Sequence, residues 1–278
     1  MRLDRPVGSL LLLWPTLAAL WMAADGIPST KLIVIFTLGT FLMRSAGCVI
    51  NDYADRHLDG AVGRTQSRPL ATGAISERAA LTLFVGLCAA AGLLVLLLNT
   101  TTQLLAVGGL LVAALYPFMK RWTHLPQTVL GAAFSWGILM AWSAQDKGIH
   151  ADAMLMFTGS LLWIVAYDTL YAMVDRQDDL KVGIKSTAIL FGDLDRTIVG
   201  ILQLSALIVF ALLGNKLGYH HAYFIGLCVC AGLFVQQQFM IRKREPAACM
   251  RAFVNNIRVG FVLLVGTVVE LGIRDFVT

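Results

Sequence analysis

Residues 31–50, KLIVIFTLGTFLMRSAGCVI, are largely apolar, and residues 51–59, NDYADRHLD, follow them directly with one amide and three carboxylates. The apolar part is long enough to cross the ~30 Å hydrocarbon core of a membrane as a helix. Asp52, Asp55 and Asp59 are spaced i, i+3 and i+7, so a continuing helix would place them within about 60° of one another. This stretch therefore predicts a membrane helix whose end carries an acidic face.

Composition places the whole chain in the same class. Of its 278 residues, 58% are hydrophobic and 14% are charged, whereas about a quarter of the residues in a soluble domain are charged. The sequence predicts an all-α polytopic membrane protein with a single intramembrane domain, residues 1–278, and nine transmembrane helices. Their predicted bounds are 8–24, 31–51, 77–98, 101–119, 127–144, 153–173, 196–213, 219–240 and 257–273.

The basic residues predict the orientation of these helices. With the N-terminus in the cytoplasm, 17 of the 22 Lys and Arg residues fall in cytoplasmic segments and four fall outside, as the positive-inside rule requires. The C-terminus is then periplasmic, and the three largest polar segments, 52–76, 174–196 and 242–256, face the cytoplasm. This distribution explains the net charge of +5 without a nucleic-acid partner.

A second acidic stretch, YDTLYAMVDRQDD at 167–179, ends the predicted sixth helix. Asp168, Asp175 and Asp179 are spaced i, i+7 and i+11, which places them within about 40° on one helical face. Acidic residues within a membrane helix are costly and usually face the bundle interior or a water-filled cavity. Two such faces indicate one shared site rather than two solvated helix ends, and Mg²⁺ or a similar hard cation is the usual partner of clustered oxygen ligands.

Cations lie near both acidic stretches. Mg²⁺ prefers one or two carboxylates together with phosphate oxygens and water, so this combination suggests a diphosphate. Arg44 precedes Asn51 by seven residues and Asp55 by eleven, so it shares their predicted face about 10 Å deeper in the membrane. A salt bridge that stabilises the bundle is the alternative role for Arg44.

Further basic residues lie in predicted cytoplasmic segments. Lys120 and Arg121 end the predicted fourth helix, and Arg64 and Arg68 follow the first acidic stretch in GRTQSRPL, residues 63–70. Arginine suits bidentate recognition of phosphate or carboxylate, while lysine acts as a compact point charge. The positive-inside rule alone would also account for the loop arginines.

These stretches resemble the UbiA-type intramembrane aromatic prenyltransferase superfamily. The resemblance is strongest to the bacterial 4-hydroxybenzoate polyprenyltransferases of ubiquinone biosynthesis, and it covers nearly the whole chain. It rests on NDYADRHLD, RTQSRPL, YPFMKR at 116–121, YDTLYAMVDRQDD and GIKST at 183–187.

The resemblance implies nine helices around a central cavity that opens to the cytoplasmic side of the bacterial inner membrane and laterally to lipid. The implied reaction transfers a polyprenyl chain from its diphosphate to C3 of 4-hydroxybenzoate with Mg²⁺, and no obligate protein partner is expected. The implied ligands of metal and diphosphate are Asn51, Asp52, Asp55, Asp59, Asp175 and Asp179. Of these, the implied catalytic carboxylates are Asp55, Asp175 and Asp179. The residues expected to bind diphosphate or aromatic acid are Arg44, Arg64, Lys120 and Arg121, and Asp168 and Tyr171 would support the second stretch.

Two alternatives remain at this point. The same fold acts on other acceptors in this superfamily, such as naphthoate, homogentisate, haem or chlorophyll precursors. From a different class, an ion-coupled secondary transporter also uses intramembrane acids. Transporter sites tend to lie near the membrane midplane at broken helices, whereas these acids lie at predicted helix ends, which argues against transport.

Overall fold

The computed structural model describes residues 6–57, 59–61, 63 and 65–277, and within these ranges no residue lies in a β-strand. Nine α-helices have 18 residues or more, and one further helix has five. The helices are α1 (Val7–Ala24), α2 (Thr30–Asp55), α3 (Glu77–Val95), α4 (Thr100–Trp122), α5 (Pro126–Ala144), α6 (Ala151–Val182), α7 (Thr187–Phe191), α8 (Asp195–Lys216), α9 (His221–Met240) and α10 (Pro246–Val277). The predicted all-α class is confirmed.

Eight helical segments of the described chain are long and apolar enough to cross a membrane. The long helix outside this set is α5, which packs against α1, α4 and α6 in the interior of the bundle. A helix covered by other helices does not need an apolar outer face, and α5 buries polar residues such as Gln127 and Ser135. The protein is therefore a multi-pass membrane protein, and the count of nine crossings stays a prediction.

Several helices begin at side-chain caps that the sequence supplies. The Ser76 hydroxyl accepts a hydrogen bond from the Ala79 N–H at 3.2 Å, which confirms the predicted start of the third helix at Glu77. Asn99 Oδ1 accepts from the Thr102 N–H at 2.9 Å and so caps α4. These caps occupy N–H groups that a helix leaves unpaired at its first turn.

Helix α6 lies at the centre of the bundle and packs against α5, α8 and α10. Its large side chains Trp163, Tyr167 and Ile164 are fully buried. The Trp163 indole N–H donates to Asn256 Oδ1 on α10 at 2.8 Å, so its polar atom is also paired. In contrast, α3 and α4 are peripheral, with only two buried residues each.

Two helices extend furthest beyond their predicted bounds. The sixth helix continues to Val182 instead of ending near residue 173, and the last begins at Pro246 instead of residue 257. Pro suits the first position of a helix, where no N–H partner is required. The added part of α10, about three turns, is covered because Cys249 and Ala252 are buried against the α6 side of the core. Much of the predicted polar loop 242–256 is therefore helical.

Candidate active site

One large cavity reaches the end of the bundle where both acidic stretches lie. Its volume is about 1400 Å³, and helices α1 to α6 and α10 contribute to its lining. Ten of the residues singled out from the sequence line it: Arg44, Asn51, Asp52, Asp55, Asp59, Lys120, Asp168, Tyr171, Asp175 and Asp179. Arg121 does not line the cavity, and Arg64 lies outside the described residues.

The first acidic stretch continues α2 as far as Asp55. Asn51 Nδ2 donates to Asp55 Oδ2 at 3.3 Å, which is the contact expected between residues one helical turn apart. The prediction that Asp59 belongs to the same helical face is wrong, because α2 ends at Asp55 and Asp59 begins a separate 3₁₀ turn, Asp59–Ala61.

Arg56, the residue that follows α2, is held by the residues around it. Its Nη1 donates to the Tyr53 carbonyl at 2.8 Å, and its Nε pairs with Glu77 at the start of α3 at 2.8 Å. Arg56 thus occupies a terminal carbonyl of α2 and joins it to α3, while the chain turns away.

Arg68 forms ion pairs with both Asp59 and Asp52, and so keeps Asp59 beside the carboxylates of α2. One guanidinium nitrogen of Arg68 lies 2.9 and 2.8 Å from the two Asp59 oxygens and 3.1 Å from Asp52 Oδ1. Burial raises the pKa of the Asp59 carboxyl above its ordinary value, and the Arg68 guanidinium offsets part of that rise. The sequence showed Arg68 only as one of two loop arginines, so its place in the site is a finding of the structure.

Lys120 brings the end of α4 into the site. Its ammonium forms an ion pair with Asp55 Oδ2. Asp55 is only 3% exposed, and its other oxygen, Oδ1, has no hydrogen-bond partner among the described residues. A buried carboxylate oxygen without a donor is costly in a folded protein, so Asp55 keeps hydrogen-bonding capacity that the described fold does not use.

Arg121 has a different environment from its neighbour. Its side chain is exposed, its Nη2 donates to the Ala54 carbonyl at 2.6 Å, and its guanidinium lies 5.8 Å from the ring centroid of Phe118. Arg121 therefore holds the end of α4 against the end of α2. Of the basic pair, Lys120 is the residue that reaches the cavity.

The second acidic stretch lies entirely on α6, because this helix continues past the predicted boundary to Val182. The predicted face is present: Asp168, Asp175 and Asp179 all line the cavity. Tyr171 lies on this face and contacts Phe253 of α10 with ring centroids 4.9 Å apart.

Arg44 lies two to three helical turns before Asp52 and Asp55 on α2, further from the helix end that carries them. Its guanidinium is 5.6 Å from the ring centroid of Phe134, and Gly8 of α1 lies so close that a Cβ there would overlap it. Tyr116 and Tyr167 also line the cavity. The buried Tyr167 hydroxyl bonds to no group in the described chain, so this pocket combines the Arg44 cation, the Asp168 carboxylate, aromatic faces and an unused hydroxyl.

The arrangement fits a metal that is bound together with a phosphate ligand. The described residues contain no ready-made cluster of three His, Cys, Asp or Glu side chains able to hold a metal alone. The two helices instead present carboxylate and amide oxygens across one cavity, and Asp55 Oδ1 is unoccupied. A site with few protein oxygen ligands suits Mg²⁺, because this ion takes its remaining ligands from phosphate and water.

Comparison with known proteins agrees with this geometry. The UbiA prenyltransferase family matches residues 12–263. A protein from Vibrio cholerae serotype O1 named 4-hydroxybenzoate octaprenyltransferase is 55% identical over 271 residues, which are 98% of this chain and 95% of that protein.

Solved structures share the fold. The apo structure of a UbiA homologue from Aeropyrum pernix K1 has a TM-score of 0.83 at 23% identity, covering 98% of this chain and 99% of that one. A UbiA homologue from Archaeoglobus fulgidus, bound to GPP and Mg²⁺, has a TM-score of 0.68 at 20% identity, with 94% and 98% covered. The family predicted from the two acidic stretches is confirmed, and the chain belongs to the UbiA prenyltransferase family.

Proposed function

We propose that this protein transfers a polyprenyl chain from polyprenyl diphosphate to C3 of 4-hydroxybenzoate, an early membrane step of ubiquinone biosynthesis. One observation carries the proposal: carboxylates from α2 and α6 line one cavity together with many apolar and aromatic side chains. The activity named for the 55% identical relative supports this choice of acceptor. Neither transport nor another acceptor is favoured by an observation on this chain.

The carboxylates form the diphosphate end of the site. Asn51, Asp52, Asp55 and Asp59 on one side and Asp175 and Asp179 on the other would hold Mg²⁺ with the diphosphate. Bound there, Mg²⁺ neutralises the diphosphate and makes it a better leaving group. The Mg²⁺ seen with the Archaeoglobus fulgidus homologue supports this choice of ion.

The basic side chains of the cavity act on the same leaving group. Lys120 lies against Asp55, and Arg68 lies against Asp52 and Asp59. When a diphosphate enters, both cations can bind its oxygens and stabilise the charge that develops as the allylic C1–O bond breaks. Because they are already positioned, little reorganisation is required at that step.

The pocket around Arg44 is our proposed acceptor site. The guanidinium would bind the carboxylate of 4-hydroxybenzoate, and Phe134 and Tyr116 would contact its ring. The ring carbon ortho to the phenol oxygen attacks the allylic C1, and the proton on that carbon is then lost. Asp175 or Asp179 could accept the phenol proton, and the apolar walls keep water from the cationic carbon.

Location follows from the distribution of basic residues. We propose that the protein lies in the bacterial inner membrane with its N-terminus in the cytoplasm, its C-terminus in the periplasm and the acidic end of the cavity on the cytoplasmic side. Seventeen of the 22 Lys and Arg residues then lie inside, in keeping with the positive-inside rule.

A direct assay tests the proposal. Washed membranes that contain the protein are incubated with radiolabelled 4-hydroxybenzoate and octaprenyl diphosphate, with Mg²⁺ or with a chelator. We expect a prenylated product that depends on Mg²⁺ and is absent from membranes lacking the protein. A parallel panel with naphthoate and homogentisate tests the acceptor, and preferred use of either would overturn the assignment of 4-hydroxybenzoate.

A further inference from the structure

A buried carboxylate outside the cavity connects three segments next to the second acidic stretch. Asp195, the first residue of α8, is 0% exposed. Its Oδ2 pairs with the guanidinium of Arg176 on α6, and its Oδ1 accepts from Arg244 Nε at 2.8 Å. Arg244 precedes α10 and also donates to the Asp193 carbonyl at 2.6 Å. These three charged side chains, Asp195, Arg176 and Arg244, are called the Asp195 network below.

Burying the charge of Asp195 costs free energy unless its partners are correctly placed, so the Asp195 network has a defined geometry. A buried carboxylate is tolerated only when charged or hydrogen-bonding partners surround it. Asp195 has two arginines from different helical segments, and its Oδ1 also accepts from the Arg196 backbone N–H at 2.5 Å. Rotation of α6 about its axis would break the Arg176 contact and leave the carboxylate insufficiently paired.

Arg176 lies on the same turn of α6 as the proposed metal ligands. It follows Asp175 directly and precedes Asp179 by three residues. On an α-helix, Asp179 lies about 40° and Arg176 about 100° around the axis from Asp175. A contact that fixes the direction of Arg176 therefore fixes the direction in which both carboxylates point into the cavity.

The end of α6 depends on such an anchor because few apolar contacts hold it. Gln177 and Leu180 are exposed, and Asp178 pairs with the neighbouring Lys181 at 3.0 Å and accepts a hydrogen bond from the Gly63 backbone N–H. The large buried residues of α6, such as Trp163 and Leu170, lie earlier in the helix. The Asp195 network joins this terminal part of α6 to α8 and to the turn before α10.

We propose that Asp195 and Arg176 are positioning residues that orient Asp175 and Asp179 for the Mg²⁺–diphosphate complex. This inference rests on the proposed function of the second acidic stretch. Neither residue lines the cavity, so neither is expected to touch the substrates. Their loss should weaken the response to Mg²⁺ more than the use of the aromatic acceptor.

The test measures prenyl transfer by the purified full-length protein while MgCl₂ is titrated at fixed octaprenyl diphosphate. Asp195→Asn removes the charge and keeps the shape, and Arg176→Gln removes the other partner. For both we expect the Mg²⁺ concentration at half-maximal rate to rise about tenfold, because groups that orient metal ligands typically have effects of this size. The KM for 4-hydroxybenzoate should change less than about twofold, and Asp195→Glu or Arg176→Lys should recover part of the Mg²⁺ response.

Glu270→Gln is the matched control, since Glu270 is also a buried carboxylate on several partners but lies at the other end of the bundle. We expect its Mg²⁺ response to equal that of the wild type. An unchanged response in Asp195→Asn or Arg176→Gln would overturn the inference, and so would an equal shift in Glu270→Gln. If Asp195→Asn fails to fold, Arg176→Gln and Arg244→Gln, which each remove one arginine partner of Asp195, give the same decision by the same titration. Lack of transfer by the wild-type protein would instead refute the proposed function.

Discussion

Buried carboxylates occur at both ends of the bundle, but their oxygens are used differently. At the end opposite the acidic stretches, Glu270 of α10 accepts from the backbone N–H groups of His220 at 2.6 Å, Ala222 at 3.0 Å and Tyr223 at 3.2 Å. It therefore caps the start of α9 with both oxygens. At the acidic end, Asp55 is just as buried, yet its Oδ1 has no donor within the described part of the chain.

The difference shows what distinguishes a site from a structural charge. Burial alone does not separate the two, because Glu270, Asp195 and Asp55 are all buried. Glu270 and Asp195 have their oxygens occupied by groups of the fold itself. Asp55 keeps one oxygen for a ligand and faces a cavity. A buried acid whose hydrogen-bonding capacity is not used internally is a candidate for binding or catalysis.

The largest effect is expected from the acids that face the cavity. Asp55→Ala and Asp175→Ala should each lower kcat/KM for prenyl transfer on the order of 10³-fold, because each removes an oxygen ligand near the leaving group. Initial rates with radiolabelled 4-hydroxybenzoate in washed membranes measure this. Normal turnover in either variant would contradict the assignment of both helices to one diphosphate site.

Lys120 and Arg121 form the next comparison, between adjacent basic residues with different environments. Lys120→Met removes the ammonium that pairs with Asp55 and should lower kcat/KM by about 10- to 100-fold. Arg121→Gln should lower it by less than about threefold, since the exposed Arg121 binds the Ala54 carbonyl. The two variants are compared at equal protein levels, and a larger loss in Arg121→Gln would reverse the roles.

Much of the acidic end was predictable because helical spacing carries over into three dimensions. Asp168, Asp175 and Asp179 were placed on one face by their i, i+7 and i+11 spacing, and a continuous α6 brings all three to the cavity. The same reasoning failed for Asp59, since it assumed that α2 continues. Residue spacing does not show where α2 ends, and at that end Arg56 contacts the Tyr53 carbonyl and Glu77 of α3.

The roles of the basic residues could not be read from the sequence for a physical reason. In a membrane protein, cytoplasmic loops are basic whether or not they bind an anion. The sequence around Arg68 therefore does not indicate a role in the site, and only the folded turn brings Arg68 to Asp52 and Asp59. Likewise, the sequence shows Arg176 only as one residue of the second acidic stretch, whereas its partner Asp195 lies on another helix.

A smaller effect is expected around Arg44. Gly8→Ala would place a methyl group against the Arg44 guanidinium, which must then move. We expect the KM for 4-hydroxybenzoate to rise about tenfold, because a small displacement of a group that positions the substrate has a large kinetic effect. The KM for the diphosphate should change little. Gly39→Ala is the control, since Gly39 lines the same cavity but a Cβ there meets nothing within 4 Å. Equal KM values in both variants would remove Arg44 from the acceptor site.

The smallest effect on transfer is expected at the opposite end of the bundle. Glu270→Ala leaves the first N–H groups of α9 without their acceptor and should cost about 2 kcal/mol of stability, as loss of a helix cap does. Thermal unfolding of the detergent-solubilised protein measures this, while kcat per folded molecule should stay at the wild-type value. The Glu270 oxygens serve the fold alone, so a kcat loss approaching that of Asp55→Ala would mean that occupancy of carboxylate oxygens does not separate structural acids from functional ones.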